Sequence, residues 1–352
     1  MDWVRGDCIG CGSFSTVNLA IPTKSSSSPL MAVKSCDLFD SSLLENEKDV
    51  LSQLGYCEHI IQCFGGDQSV ENGQRLYSLL LEYASGGNLS HWVKNSGGCL
   101  RESEARRYTR SILKGLRYIH AKGFAHCDIK LENILLFENG EVKIADFGLA
   151  KKTGQKQSGE QGRMVFRGTP LYMSPESVNE NEYDSPCDIW ALGCALVEMV
   201  TGKPAWNCKP ETNIAALMIR IGVGDELPEI PQELSKEGKD FLSKCFVKDP
   251  RTRWTADMLL DHPFVATENT VTLKESKQSS PSSSPRCPFE YPEWVSVPSS
   301  SPKTELWSNK EVNSRFDWSS LSYSPSPAER LRQLASDEVC NWSFSESWVT
   351  VR

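Results

Sequence analysis

Asp128 stands two residues after His126, two before Lys130 and five before Asn133; thirteen residues beyond that asparagine comes Asp146-Phe147-Gly148. Two carboxylates, an amide and an ammonium at these spacings suit phosphoryl transfer. That reaction asks a protein for metal ions on the phosphates, a positioned acceptor hydroxyl and positive charge where negative charge develops. In such chemistry Asp128 takes the acceptor proton, Asn133 and Asp146 hold metal, and Lys130 reaches the migrating phosphate. An isolated H-x-D arises often by chance. The full run His126-Cys127-Asp128-Ile129-Lys130-Leu131-Glu132-Asn133, then a strand-like Val142-Lys143-Ile144 and Asp-Phe-Gly in register, does not.

These groups need elements that bring them to one place. Residues 1–20 carry apolar positions on either side of Ile9-Gly10-Cys11-Gly12-Ser13-Phe14-Ser15-Thr16-Val17, which reads as two strands joined by a glycine turn. Gly10 and Gly12 let backbone amides approach phosphate oxygens, and Val17 can cover a flat base, although an ordinary hairpin has the same letters. Met31-Ala32-Val33-Lys34 is a short strand ending in a lysine. Residues 42–54 place Leu43, Leu44, Glu47, Val50, Leu51 and Leu54 at a period near 3.6. Of the two acids there, Glu47 lies one turn before Leu51 on the apolar face and so is expected to point inward, with Glu45 in solvent. Leu76–Tyr83 is a near-continuous apolar strand leading into Ala84-Ser85-Gly86-Gly87.

Ser103–Lys122 is a helix with Tyr108, Ile112, Leu116 and Ile119 on one stripe. Its Arg106, Arg107, Arg110 and Lys114 lack interleaved aromatics and read as a solvated face, not a nucleic-acid surface. Residues 149–168 have loop composition, and Gly168-Thr169-Pro170-Leu171-Tyr172-Met173-Ser174-Pro175-Glu176 closes that segment. A buried helix follows from Asp188-Ile189-Trp190; its apolar stretch is too short to span a bilayer and is broken by Glu198.

Taken together these motifs resemble the eukaryotic protein kinases over residues 3–265. The resemblance implies an α+β bilobal fold: an antiparallel-sheet N-lobe with one key helix over about 1–82, a hinge at 82–87 and a mainly helical C-lobe over about 88–266. It implies ATP and Mg²⁺, with Ile9 through Val17 and Ala32, Lys34, Leu81, Glu82, Ala84 and Leu135 around the nucleotide. Lys34 is expected to pair with the α- and β-phosphates and Glu47. Thr153, Ser158 and Thr169 fall in the activation segment. Glu176 is expected to pair with Arg253, and Asp188 to bond the catalytic-loop backbone. Lys130 with Thr169 matches the serine/threonine class. The blocks HCDIKLENILL, GTPLYMSPESV and CDIWALGCALVEMVTGKPAW resemble plant MAP kinase kinase kinases of the MEKK type. The stretch IGVGDELPEIPQELSKEGKDFLSKCFVKDPRTRWTA and the final SWVTVR point to a small subgroup with short N-termini. The implied substrate is a MAP kinase kinase in stress signalling, abscisic acid responses included. A kinase outside that cascade and a pseudokinase scaffold are the alternatives; Lys34, Glu47, Asp128, Lys130, Asn133 and Asp146 are all present, which favours catalysis.

Three departures stand out: Ser15 replaces the third glycine, Ser174-Pro175-Glu176 replaces A-P-E, and Cys127 stands where many kinases have arginine. A neutral thiol cannot bind a phosphate dianion as a guanidinium does. Phosphorylation of Thr153 or Ser158 is therefore not expected to be an obligatory switch.

The net charge of −8 argues against nucleic acid as the main partner, no membrane span is expected, and residues 1–20 do not read as a signal peptide. Thirteen irregularly spaced cysteines read as reduced thiols, cytoplasmic or nuclear; Cys8 and Cys11 read as two small side chains in a glycine turn. From Thr267 the chain turns Ser/Pro-rich, with Ser-Pro at Ser280, Ser284, Ser301, Ser324 and Ser326, a disordered-linker composition. This tail nevertheless carries Trp294, Trp307, Trp318, Trp342 and Trp348. Docking segments, for a partner or for the kinase domain, and incidental aromatics are both open readings; the Ser-Pro sites are candidate phosphorylation sites.

Overall fold

Strands that alternate or run continuously apolar collect into one antiparallel sheet: β1 (Trp3–Cys11), β2 (Thr16–Pro22), β3 (Met31–Asp37), β4 (Cys63–Glu71) and β5 (Gln74–Glu82), in spatial order β1-β2-β3-β5-β4. The computed structural model describes residues 3–12, 15–23, 29–154, 167–207 and 213–266. Ser13, Phe14, Ser158 and everything from Thr267 onward, the tryptophans and Ser-Pro sites included, lie outside the described residues. The central β3 is buried on both sides. Met31 and Val33 join Ala20, Trp3, Phe64 and Leu80 on one face; Ala32, Leu79 and Leu81 enter the main core on the other. Helix α1 (Ser42–Leu54) adds Leu44, Val50, Leu51 and Leu54 to that core, while Leu43 is only half-buried.

The second lobe contains α2 (Leu89–Asn95), α3 (Glu102–Ala121), β6 (Phe124–Ala125), β7 (Ile134–Leu136), β8 (Val142–Ile144), β9 (Lys151–Lys152), α4 (Pro175–Asn179), α5 (Ser185–Thr201), α6 (Ile214–Gly222), α7 (Lys236–Cys245) and α8 (Ala256–Leu260). Helix α5 is apolar nearly all round and is the centre of this lobe, with Trp190 fully buried. It ends at Gly202, whose left-handed φ of 67° supplies the usual helix stop. The lobes are stitched where Ile61 N donates to Ile144 O (2.9 Å) and Ile144 N to His59 O (2.9 Å).

Two expectations change. Lys151 and Lys152, read as loop, form β9 and pair with Ala125 and Phe124 of β6. A two-residue strand has no periodicity to betray it; its partner supplies the order. The basic face of α3 is not simply solvated. Arg106 lies over the Phe264 ring at 4.9 Å and Arg110 donates to Val265 O at 2.9 Å, so the guanidiniums hold down the residues after α8. Among the described residues no helix is long and apolar enough to cross a membrane.

Candidate active site

The sheet register aligns the first group. Gly10 pairs with Val17, Val17 with Lys34, and Lys34 with Leu79, a single row across four strands. Ala32, two residues from Lys34, shares its face and pairs with Leu81; both are buried. From this row Lys34 Nζ donates to Glu47 Oε2 (2.7 Å) on α1 and to Asp146 Oδ1 (3.0 Å). Glu47 is fully buried, whereas Glu45 is exposed and accepts from Ser41 Oγ at 2.8 Å. The other Glu47 oxygen accepts from Phe147 N (3.2 Å), so one carboxylate ties β3 to the Asp146-Phe147-Gly148 turn. Burial alone would favour the neutral amine of Lys34, but Asp146 and Glu47 reverse this and hold it above the ordinary lysine range. Burial likewise opposes the Asp146 carboxylate, and the Lys34 charge wins, keeping it below its usual range. For Glu47 burial outweighs Lys34 and pushes the carboxyl up.

The second group surrounds Asp128. Thr169 Oγ1 donates to Asp128 Oδ1 at 2.8 Å and accepts from Lys130 Nζ at 2.9 Å. Asn133 Nδ2 donates to Asp128 Oδ2 (2.9 Å) and to Asp128 O (2.8 Å), and Lys130 Nζ lies 3.0 Å from Oδ2. Burial would discharge Lys130, yet Asp128 more than compensates and raises its pKa. Gly168 enables the close approach of Thr169: its φ is +94°, and a Cβ there would sit 2.4 Å from Cys127 O.

Cys127 and Asp146 both adopt left-handed φ, 68° and 64°, costing roughly 1–2 kcal/mol each for non-glycine residues. Buried Asp188 holds the first of these in place. Its Oδ2 accepts from His126 N (2.8 Å) and its Oδ1 from Cys127 N (2.9 Å), while His120 Nε2 lies 2.9 Å from Oδ2. Burial pushes this carboxyl up, but the bonds from His120 and the His126 amide hold it below its ordinary range. Asp146 is supported from the same loop: His126 Nε2 lies 3.0 Å from Ala145 O, and its ring meets buried Phe147 edge-on at 4.7 Å.

Residues around the nucleotide positions are placed as follows. Leu81 and Ala32 are buried, Leu135 and Ile9 pack half-buried against the core, and Gly12 N donates to Ser15 O at 2.7 Å. Cys11 and Thr16 pair as the last rung of β1 and β2. Glu82 spends its side chain on Lys143 Nζ (2.6 and 2.8 Å) and its N–H on Gln62 O. The Ala84 carbonyl accepts from Gly87 N (3.3 Å); its N–H has no partner among the described residues. Thr153 N donates to Gly123 O at 2.9 Å, tethering the start of the activation segment beside β9. Glu176 and Arg253 make two buried hydrogen bonds of 2.6 and 2.9 Å, with the guanidinium 5.1 Å over Trp190.

Sequence reasoning missed several supports. Asn46 Nδ2 reaches Gly148 O and Ala150 O (2.9 Å each) across about a hundred residues of chain. His120 completes the Asp188 site, and Tyr172 OH bonds Glu198 on α5. Asn46 gave one usable signal, a polar residue one position before Glu47 on the amphipathic helix; the others gave none. Cys127 packs with Ala125, Leu149, Tyr183 and Cys187, and the cavity beside it is also lined by Arg167 and Asp188.

A donor set of this kind fits a hard cation. Asn133 has committed its Nδ2 to Asp128, leaving the amide oxygen, and Asp146 keeps a carboxylate side chain 37% exposed. A cleft that joins an anchored lysine, an acid-bearing glycine turn and a carboxylate holding an aliphatic hydroxyl defines a phosphotransferase acting on hydroxyl groups. The protein kinase domain model matches residues 3–265, and the chain belongs to the protein kinase family. It is similar along its whole length to Mitogen-activated protein kinase kinase kinase 20 of Arabidopsis thaliana, 51% identical with all of both chains covered. Mitogen-activated protein kinase kinase kinases 18 and 17 of the same organism are 41% and 40% identical, covering 80% and 76% of this chain and 83% and 70% of theirs. The protein is thus a serine/threonine protein kinase of the MAP kinase kinase kinase type, using ATP and a divalent metal ion.

Proposed function

We propose that the chain transfers the γ-phosphate of ATP, held with Mg²⁺, to a serine or threonine of a MAP kinase kinase. The observation that carries this is the Thr169 hydroxyl on Asp128 Oδ1 at 2.8 Å. It shows an aliphatic hydroxyl reaching the free oxygen of a carboxylate whose other oxygen is fixed by Asn133 and Lys130. An acceptor hydroxyl entering at Oδ1 loses its proton to Asp128. Lys130 offsets charge on the transferred group, Lys34 steadies the α- and β-phosphates and Glu47 orients Lys34. Asn133 and Asp146 would hold Mg²⁺, which neutralises phosphate charge when bound. Gly10, Val17, Ala32, Leu81, Ala84 and Leu135 enclose the nucleotide. The placement in stress signalling, abscisic acid responses included, rests on the likeness of the HCDIKLENILL and GTPLYMSPESV blocks to plant MEKK-type kinases and of the IGVGDELPEIPQELSKEGKDFLSKCFVKDPRTRWTA stretch and SWVTVR to a small subgroup of them.

The test is a panel of purified MAP kinase kinases with labelled ATP, offered to wild type, Lys34→Met and Asp128→Asn. Label on an activation-loop serine or threonine with wild type alone supports the reading. Label on none of the panel, with active label transfer to a generic protein, moves the enzyme outside that cascade; no transfer at all leaves only a scaffold.

The neutral thiol of Cys127, standing where many kinases carry arginine, offers a phosphate dianion no guanidinium at that position, which favours activity without activation-loop phosphorylation even with Arg167 lining the same cavity. Thr153→Ala with Ser158→Ala is expected to keep most activity in purified protein, and loss of activity refutes this. We assign the tail tryptophans to docking on the strength of their density in a Ser/Pro-rich stretch. Deletion of 268–352 that changes neither partner binding nor activity removes that assignment.

A further inference from the structure

Two thiols outside the transfer chemistry are held together at the end of β1. Cys8 Sγ and Cys11 Sγ are 3.5 Å apart, with Cys11 exposed, Cys8 half-buried, and Cys8 Sγ also 3.4 Å from Gly10 O. In a regular strand, residues three apart point to opposite faces. The β1–β2 register explains why these do not. From Cys8 to Cys11 the first strand advances three residues while its partner advances only two, from Asn18 to Thr16, with the irregularity between Cys8 and Gly10. One extra residue restores the parity and returns both sulfurs to one side. Two regular strand steps span about 6.7 Å, within the Cα separations that disulfides bridge.

We propose that Cys8 and Cys11 form a reversible disulfide that reports oxidant and weakens ATP binding. The oxidant is a hydroperoxide. One thiolate attacks the O–O bond, becoming a sulfenic acid and releasing an alcohol or water after protonation. The second sulfur then attacks the sulfenic sulfur, the S–S bond forms, and hydroxide leaves as water with the second thiol proton. In sum two thiols lose two hydrogens and the peroxide is reduced; a dithiol reverses the bond by exchange. Hydrogen bonding to Cys8 lifts the Cys11 thiol above its ordinary range, so less of it is thiolate at neutral pH.

Closing the sulfurs from 3.5 Å to about 2.0 Å draws in the intervening Ile9 and Gly10. Ile9 packs against the core and Gly10 pairs with Val17. The effect on ATP therefore rests on the nucleotide lying under this turn, as proposed above. The test uses the full-length protein, reduced or treated with hydrogen peroxide, with peptide mapping of cross-links, ATP titration of the rate, and recovery in dithiothreitol. A Cys8–Cys11 cross-link is expected, with KM for ATP raised about tenfold, equivalent to about 1.4 kcal/mol of binding. The rate at saturating ATP changes little, and dithiothreitol restores KM. Cys8→Ser is expected to match reduced wild type and to ignore peroxide. Absence of that cross-link in peroxide-treated, folded protein overturns the proposal, as does a cross-link that leaves KM unchanged. Failure of the reduced protein to bind ATP strikes the nucleotide placement instead, and the cross-link map still decides the thiol pair.

Discussion

Removing the Asp188 carboxylate is expected to unsettle the catalytic loop, whose His126 and Cys127 amides it accepts from. In Asp188→Ala the N–H groups of His126 and Cys127 lose their acceptors inside a site where Asp188 is only 1% exposed. An unmet buried N–H costs about 1–3 kcal/mol, so two cost about 4 kcal/mol at mid-range. The loop recovers part by letting Cys127 leave its φ of 68°, a relief of about 1 kcal/mol. The net expected loss is about 3 kcal/mol in urea unfolding. That same relaxation moves Asp128, the next residue, and a displacement near 1 Å lowers kcat about a hundredfold. KM for ATP is expected to stay within a few-fold, because Lys34, Val17 and Leu81 sit on the N-lobe sheet, away from this loop. Asp188→Asn keeps one acceptor but turns an NH₂ toward the other donor, so it falls between wild type and alanine. An alanine variant that loses under about 1 kcal/mol and keeps kcat within threefold refutes the view that this carboxylate stores the loop geometry.

Other outcomes follow from the same contacts. Burial pushes Glu198 up to about 7 despite its bond from Tyr172; with Glu132 opposing and Lys94 favouring its charge, the native state holds this proton more tightly than the unfolded chain. Its stabilisation is complete below about pH 4.5 and fades as pH rises to about 7. Wild type is therefore expected to lose roughly 2–3 kcal/mol more than Glu198→Gln across that window in denaturant titrations; parallel curves refute the shift. Arg253→Met leaves Glu176 buried and unpaired and is expected to cost about 3–5 kcal/mol of stability. Arg253→Lys recovers little of this, since a single ammonium cannot replace two parallel bonds and those to Val247 O and Pro186 O. Gly168→Ala drives a Cβ to 2.4 Å from Cys127 O and forces a strained φ, so Thr169 must withdraw from Asp128. Its kcat should fall at least about tenfold with the fold retained, read by melting temperature and single-turnover rates.

The parts of the site legible in the sequence were those set by local geometry. Ala32 and Lys34 share a strand face because side chains alternate, and Glu47 joins Leu51 inward because four residues make about one helical turn. Asp128, Lys130 and Asn133 stay together because five residues of chain cannot separate them far. Two contacts across long stretches of chain, Glu176 with Arg253 and Asp188 with the catalytic-loop backbone, were expected from the family resemblance alone; the others were open until the lobes packed. The bond of Asn46 to Gly148, the seating of Arg110 on Val265 and the pairing of Lys151 with Ala125 each depend on which surfaces meet. His120 on Asp188 is of the same kind, since an imidazole on a helix carries no mark of a carboxylate sixty-eight residues away. The approach of Cys8 to Cys11 is the reverse case, near in sequence yet decided by the partner strand, whose register supplies the bulge. Residue type and short spacing thus determined the chemistry on offer. Packing alone decided which buried donors were satisfied and which backbone strain was held, because those energies exist only once distant groups exclude water together.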